Sequence, residues 1–250
     1  MNDIERAVER LAKSKNLLVI TGAGISHESG IPTFRGNDGL WQNYRAEELA
    51  TPEAFARDPE TVWEWYDWRR GIIGRAEPNG GHLAIKELEE LYEHFLLITQ
   101  NVDGLHGRAG NTKMVEIHGN LWRVRCERDG MTSMLMDVPL PSIPPRCKCG
   151  ALLRPDVVWF GESLSPHAMG QADRAMEACD TLIVVGTSGA VYPVASFPST
   201  VKNRGGFVIE INTEPTPISS IANVALYGKS GDILPELVKA LRSNPAFSSS

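Results

Sequence analysis

Long apolar runs are absent from this chain of 250 residues: no stretch approaches the roughly twenty consecutive apolar residues that a membrane-spanning helix requires. An excess of basic charge is absent too. The 25 Lys and Arg are outnumbered by 31 Asp and Glu, giving a net charge of −6, so a surface built to neutralise nucleic-acid phosphates is not expected. Cysteines number four, too few for a disulfide scaffold. The opening segment MNDIERAVERLAKSK has the period of an amphipathic helix rather than a secretory signal. A cytoplasmic location follows, with thiols kept reduced, and the clustered Cys126, Cys147 and Cys149 then point to a metal rather than to disulfides. With 42% hydrophobic and 22% charged residues, disorder and collagen-like fibres are excluded.

What is present alternates. Short β-branched runs recur at 17–21 (LLVIT), 95–99 (FLLIT), 181–186 (TLIVVG) and 207–212 (FVIEIN), separated by helical patterns such as HLAIKELEELYEH, with Leu83, Leu88 and Leu91 among its apolar positions. Such runs between helices predict a Rossmann-like α/β core, a parallel sheet with helices on both faces. Two segments break the alternation, one rich in Trp and helix formers, the other carrying the cysteines and PLPSIPP. They predict a second lobe: 1–36, 79–118 and 156–250 form the nucleotide-binding domain, and 37–78 with 119–155 a smaller helical and metal-binding lobe. Ligands favour the cleft between such lobes. The tail SNPAFSSS is expected to fray.

The strand LLVIT runs into Gly22, Ala23 and Gly24 as a dinucleotide turn would. The third glycine of that pattern is lacking, His27 standing in its place, a residue expected to face solvent. Glycines there let a backbone approach a pyrophosphate closely, and Arg35 adds a charge-assisted contact; glycines also make tight turns with no ligand. After FLLIT, Gln100, Asn101 and Asp103 stand where open parallel sheets bind ligands, and suit a ribose or a carboxamide. The alternative is a polar loop with an Asx turn. His118, at the end of VEIHGN, has an ordinary pKa suited to proton transfer near neutrality, and Gly119 would leave space beside its ring. Tyr66 and Arg69, three residues apart on a predicted helix, share a face. A hydroxyl beside a guanidinium suits a carboxylate, although from the residues alone an aromatic, amphipathic surface helix with cation–π packing is the reading to prefer.

GAGIS, GIPTFRG, TQNVDGLH, HGN, RPDVVWFGE, GTS and EIN, in this order from about Leu17 to Leu237, resemble the sirtuin family of NAD-dependent protein lysine deacylases. The resemblance implies that NAD is consumed, not reduced, releasing nicotinamide and O-acyl-ADP-ribose. Gly22, Ala23 and Gly24 would hold the pyrophosphate, and Pro32, Thr33, Phe34, Arg35 and Trp41 would lie on the loop over the nicotinamide ribose. Gln100, Asn101 and Asp103 would position ribose and carboxamide, Asn101 serving catalysis. Gly186, Thr187, Ser188, Asn212, Thr213 and Glu214 would receive the adenosine half, with Ser230 near the adenine. The acyl oxygen of the substrate would attack the anomeric carbon, with His118 as general base on a ribose hydroxyl. Acylated lysine side chains of proteins would be the partners, Val158, Trp159 and Phe160 pairing with the substrate backbone as an added strand.

The Tyr66–Arg69 pattern resembles the subgroup that removes succinyl and malonyl groups, which implies acidic acyl-lysine as substrate alongside acetyl-lysine. Family members hold a structural zinc with two C-x-x-C pairs. Here Cys126 is followed by Asp129 in the partner position, and the second pair closes up to Cys147 and Cys149, so the implied site is three thiolates and a carboxylate. Cys179 reads as a small core residue. The rival readings are a mono-ADP-ribosyltransferase, which shares the leaving-group step, a dehydrogenase, and a peptide-binding module without turnover.

Overall fold

The computed structural model describes residues 2–32 and 45–248. Six parallel strands form the main sheet: β1 (Asn16–Thr21), β2 (His94–Thr99), β3 (Met114–Glu116), then, after a smaller antiparallel sheet of β4 (Gly119–Cys126), β5 (Thr132–Met134) and β6 (Leu153–Val157), β7 (Thr181–Val185), β8 (Phe207–Asn212) and β9 (Val224–Tyr227). The main order is β3-β2-β1-β7-β8-β9 and the small one β5-β4-β6. The chain therefore winds outward from β1 in one direction and, from β7, in the other. In open parallel sheets a ligand crevice lies at the carboxyl ends of the two strands where the direction reverses, here β1 and β7.

Runs without alternation become strands because both faces are covered. Leu17, Val19, Leu97, Ile183 and Ile209 pack with helices Asp3–Ala12, Gly80–Leu91 and Ser230–Arg242. Leu18, Ile20, Ile98, Leu182 and Val184 pack with helices Pro166–Ala178 and Phe197–Asn203. The helix expected from His82 starts at Gly80, capped by Asn79, and stops at Leu91. Its core face is Ala84, Ile85 and Leu88, whereas Leu83 is half exposed, because only the i, i+1, i+4 stripe faces the sheet. The tail also departs from expectation: Pro245–Ser248 forms a helical turn whose Phe247 packs on Tyr92, ring centroids 5.7 Å apart.

The second core is separate. Trp63, Trp65, Tyr66 and Ile73 of helix Pro59–Arg75 pack on Leu121, Val124, Val157 and Trp159 of the small sheet and the loop after it. The aromatic helix is thus buried on that side, not a surface helix. Arg70, fully buried, is held by the carbonyls of Leu121 (2.8 Å), Leu135 (2.6 Å) and Asp137 (3.0 Å) and lies over Trp122. Strand β6 belongs wholly to this lobe and ends at Val157, past the expected boundary at 156.

Candidate active site

The turns after β1 and β7 interlock. Gly24 N–H donates to the Gly186 carbonyl (2.8 Å) and Gly22 N–H to Val185 (3.0 Å). A Cβ on Gly24 would lie 2.7 Å from Gly186 Cα, and one on Gly22 would lie 2.8 Å from the Gly186 oxygen. The glycines are therefore required by the contact between two turns, and not only by the approach of a ligand. The helix that follows is a single turn, Gly24–His27, and His27 is exposed.

Above these turns a cleft of ≈ 880 Å³ runs between the lobes. Of the residues expected to bind cofactor, it is lined by Gly22, Ala23, Gly24, Pro32, Gln100, Asn101, Asp103, Gly186, Thr187, Ser188, Asn212, Thr213 and Glu214. His118, Tyr66, Arg69, Val158, Trp159 and Phe160 line it as well. Thr33, Phe34, Arg35 and Trp41 lie outside the described residues. Ser230 does not line the cleft: its hydroxyl is spent on Glu28 (2.8 Å), which also accepts the Gly231 N–H.

The rim is ordered by hydrogen bonds between distant segments. Gln100 Nε2 donates to Thr187 Oγ1 (3.1 Å), tying β2 to the turn after β7. Asn101 Nδ2 donates to Ser26 Oγ (3.0 Å), and Ser26 donates to Asp103 Oδ2 (2.7 Å), whose Oδ1 caps Leu105 N–H (2.8 Å). Burial raises the Asp103 pKa against these bonds. Behind them His82 and His106 pack ring on ring at 4.8 Å. Sequence reasoning assigned no role to Ser26, His82 or His106. Ser26 sits inside the GAGIS motif and His106 ends TQNVDGLH, but His82 carries no local signal.

His118 Nδ1 is 3.1 Å from the Gln100 carbonyl. A carbonyl only accepts, so Nδ1 carries the hydrogen and Nε2 keeps its lone pair. Burial lowers the His118 pKa, partly countered by this bond, and the ring is a neutral base at working pH. Gly119 has a different reason from the expected one: φ is +84°, and a Cβ would stand 2.1 Å from the Asp156 carbonyl oxygen. It lets β4 and β6 meet, rather than making room for the imidazole.

At the inner end of the cleft Tyr66 Oη accepts a hydrogen bond from Trp159 Nε1 (2.8 Å). Its own O–H is left to donate. Arg69 lies over Trp65, 5.0 Å from the ring centroid, and burial lowers its pKa while Tyr66 and Asp103 raise it. Val158–Phe160, the segment expected to pair with the substrate backbone, makes hydrogen bonds within the chain. Val158 N–H donates to the His118 carbonyl (2.9 Å), Trp159 N–H to Glu162 (2.8 Å) and Phe160 N–H to Ala50 (2.9 Å). Those three donors are already spent within the chain.

Away from the cleft, two tight turns bring Cys126, Cys147 and Cys149 together, their sulfurs all within 4.8 Å of one another. Three soft donors at that separation fit one zinc ion. Asp129 does not join that group among the described residues. Its carboxylate is drawn aside by the Met131 N–H (3.0 Å) and touches only the Cys126 thiol, contacts that together lower its pKa. Cys179 donates to the Thr181 carbonyl (3.1 Å) and packs beside the core.

Comparison with known proteins agrees with this geometry. The pattern described as the Sir2 family matches residues 22–193. A protein of Aquifex aeolicus named NAD-dependent protein deacylase is 54% identical over 228 residues, 91% of this chain and 95% of its own. A Sir2 homologue solved in complex with NAD superposes with a TM-score of 0.91 at 50% identity, covering 96% of this chain and 94% of the other. A mutant Sir2 homologue in complex with 2'-O-acetyl ADP ribose gives 0.92 at 50% identity over 99% and 98%. With its paired turns, inter-lobe cleft and thiol cluster, the chain belongs to the Sir2 family.

Proposed function

We propose that this chain is an NAD-dependent protein-lysine deacylase and that acidic acyl groups, succinyl and malonyl, are among those it removes alongside acetyl. The observation that carries the first part is the neutral His118, its Nε2 lone pair unspent, in the same cleft as Asn101 and the interlocked glycine turns. The cradle fits a dinucleotide: glycines at the switch point, amides of Asn101 and Gln100 at one end, and Asn212, Thr213 and Glu214 at the other. NAD supplies an ADP-ribosyl group with nicotinamide as its leaving group. Gly22, Gly24 and Gly186 of the parallel-sheet domain would hold it.

Asn101 and Asp103, fixed through Ser26, orient the ribose and carboxamide. His118 Nε2 takes the proton of a ribose hydroxyl, so that the hydroxyl accepts the acyl group; one water is consumed, restoring the carbonyl oxygen of the acyl group while the original acyl oxygen stays on the ribose, and the lysine amine, nicotinamide and O-acyl-ADP-ribose leave. The acyl oxygen, held ahead of water at the anomeric carbon, separates this outcome from simple hydrolysis of NAD. Substrate peptide entering beside Trp159 exchanges the internal bonds of Val158 and Phe160 for its own. Cys126, Cys147 and Cys149 would hold a structural zinc in the small lobe, with Asp129, now engaged by the Met131 N–H, as the carboxylate that would complete the set.

The acyl reading rests on the unspent Tyr66 O–H beside the Arg69 guanidinium. Together they offer a carboxylate charge-assisted donors in a site shielded from water. A reducing cytoplasmic compartment suits the four free thiols. Incubation with NAD and a succinyl-lysine peptide, followed by mass spectrometry, tests both parts: O-succinyl-ADP-ribose, nicotinamide and free lysine are expected. Intact NAD after loss of the acyl group would overturn the reaction class, and turnover of acetyl-lysine alone would overturn the acyl assignment.

A further inference from the structure

Beneath the cleft a file of buried polar side chains leads away from Asn101. The Asn101 N–H donates to Thr99 Oγ1 (3.1 Å), and the Thr99 and Thr21 hydroxyls are 2.9 Å apart. Thr21 Oγ1 lies 3.0 Å from His106 Nε2. Beyond the ring stands Asn111, whose Nδ2 donates to Glu89 Oε2 (2.7 Å). All six residues are buried. Two polar atoms in the file lack a hydrogen-bond partner, His106 Nδ1 and Asn111 Oδ1, and their side chains adjoin.

The direction of the file follows from that pair of orphans. Either threonine hydroxyl can donate to the other. If Thr21 donates, His106 must carry its hydrogen on Nε2, and its bare Nδ1 then faces Asn111 Oδ1, acceptor against acceptor. Turning the Asn111 amide over would only set its oxygen against the Glu89 carboxylate. If instead Thr99 donates to Thr21 and Thr21 to Nε2, Nδ1 carries the hydrogen and turns it toward Asn111 Oδ1, donor toward acceptor. Only this direction leaves no two acceptors facing each other in the buried file. Burial brings the His106 pKa down to about 3, so the ring holds one hydrogen and the alternatives are exclusive. Burial raises the Glu89 pKa, but bonds from Asn111 and Thr112 outweigh this and bring it to about 2, so the file ends on a fixed negative charge.

We propose that Glu89, Asn111, His106 and Thr21 are positioning residues for the bond-breaking step, a one-way hydrogen-bond relay that anchors the backbone of Asn101 from the buried side of the cleft rim. Alone, Thr99 Oγ1 could rotate away from the Asn101 N–H to accept elsewhere. With its hydrogen committed to Thr21, its lone pairs face the amide, and the rim keeps its shape when nicotinamide is strained out of its ribose. The relay rests on the deacylase reading given above, since it is Asn101 that it serves.

The relay has two independent readouts. Long-range ¹H–¹⁵N correlation of the histidine rings in the wild-type protein should show His106 in the Nδ1–H tautomer; the Nε2–H tautomer would overturn the relay whatever the enzyme's activity. Thr21→Val, isosteric but unable to pass the bond on, should lower kcat for nicotinamide release about tenfold, the effect of about one hydrogen bond, with the KM for acyl peptide unchanged. Thr21→Ser should restore kcat. An unchanged kcat in Thr21→Val, or an equal loss in Thr21→Ser, would refute the proposal, and a change confined to peptide KM would do the same. Wild-type protein that releases no nicotinamide would instead refute the deacylase reading, leaving the tautomer measurement to judge the relay.

Discussion

Moderate acid should destabilise this protein through its buried histidines, and the size of the effect follows from their surroundings. Burial brings His82 down to about 4, against a small opposing effect of Glu28, and brings His106 down to about 3, with His82 adding to the shift. Both rings are neutral when folded at pH 5 and charged when unfolded, since an exposed histidine titrates near 6.5. For a group whose folded pKa is depressed, the unfolded state binds the extra proton. Its stabilisation is complete above about 6.5 and is lost as pH falls toward the folded value. At about 1.4 kcal/mol per unit, the 1.5 units between 6.5 and 5 amount to about 2 kcal/mol for each ring. The figure does not depend on the folded pKa provided that it lies below 5. Asp103 and Glu116, which burial holds above the usual carboxylate range, act in the opposite direction. The depressed Glu89 gives up its own contribution only below about 4.5. Urea unfolding at about pH 7.5 and about pH 5 therefore gives the cleanest answer as a difference between proteins. His82→Gln should lose about 2 kcal/mol less than wild type over that interval, even if it is less stable throughout. Equal losses would refute the claim that His82 is buried neutral.

The catalytic assignment predicts that His118→Ala retains NAD binding by calorimetry but loses deacylation by at least about a hundredfold, the usual worth of a positioned base. Because the His118 pKa is lowered by burial, wild-type kcat/KM should stay level from neutrality downward and fall only below about 6.5. Arg69→Met should cut kcat/KM on succinyl-lysine by one to two orders of magnitude, the worth of a charged hydrogen bond, with acetyl-lysine little changed. Gly186→Ala should unfold or inactivate the protein, since φ is +59° and the new Cβ would stand 2.5 Å from Ile25 N; thermal melting reads it directly. Cys149→Ser should lower the bound zinc measured by mass spectrometry from about one per chain and lower the Tm.

The sheet was legible because its strands are buried on both sides and so carry uninterrupted β-branched runs, as at Leu17–Thr21 and Thr181–Val185. The rim residues Gln100, Asn101 and His118 were legible because each follows directly on a strand end. Other features depend on meetings between distant segments. The Ser26–His82–Asp103 cluster joins a turn, a helix start and a strand end, and no local pattern marks His82. Likewise, Val158–Phe160 was readable as an edge strand, but Ala50, more than a hundred residues away, already occupies one of its donors.

By itself the sequence determined four strands of the main sheet, the helical patterns between them, the glycine turns and the thiol pattern, because periodicity and turn chemistry are local properties of a chain. Only the tertiary structure decided which atoms are already spent. It left the Tyr66 O–H and His118 Nε2 open toward the cleft, took the Ser230 hydroxyl for Glu28, drew Asp129 aside from two of the three thiols, and set His106 between a threonine and an asparagine. Hydrogen bonding saturates, so a donor's availability is fixed by what packs against it, and that is settled only when the whole chain has closed on itself.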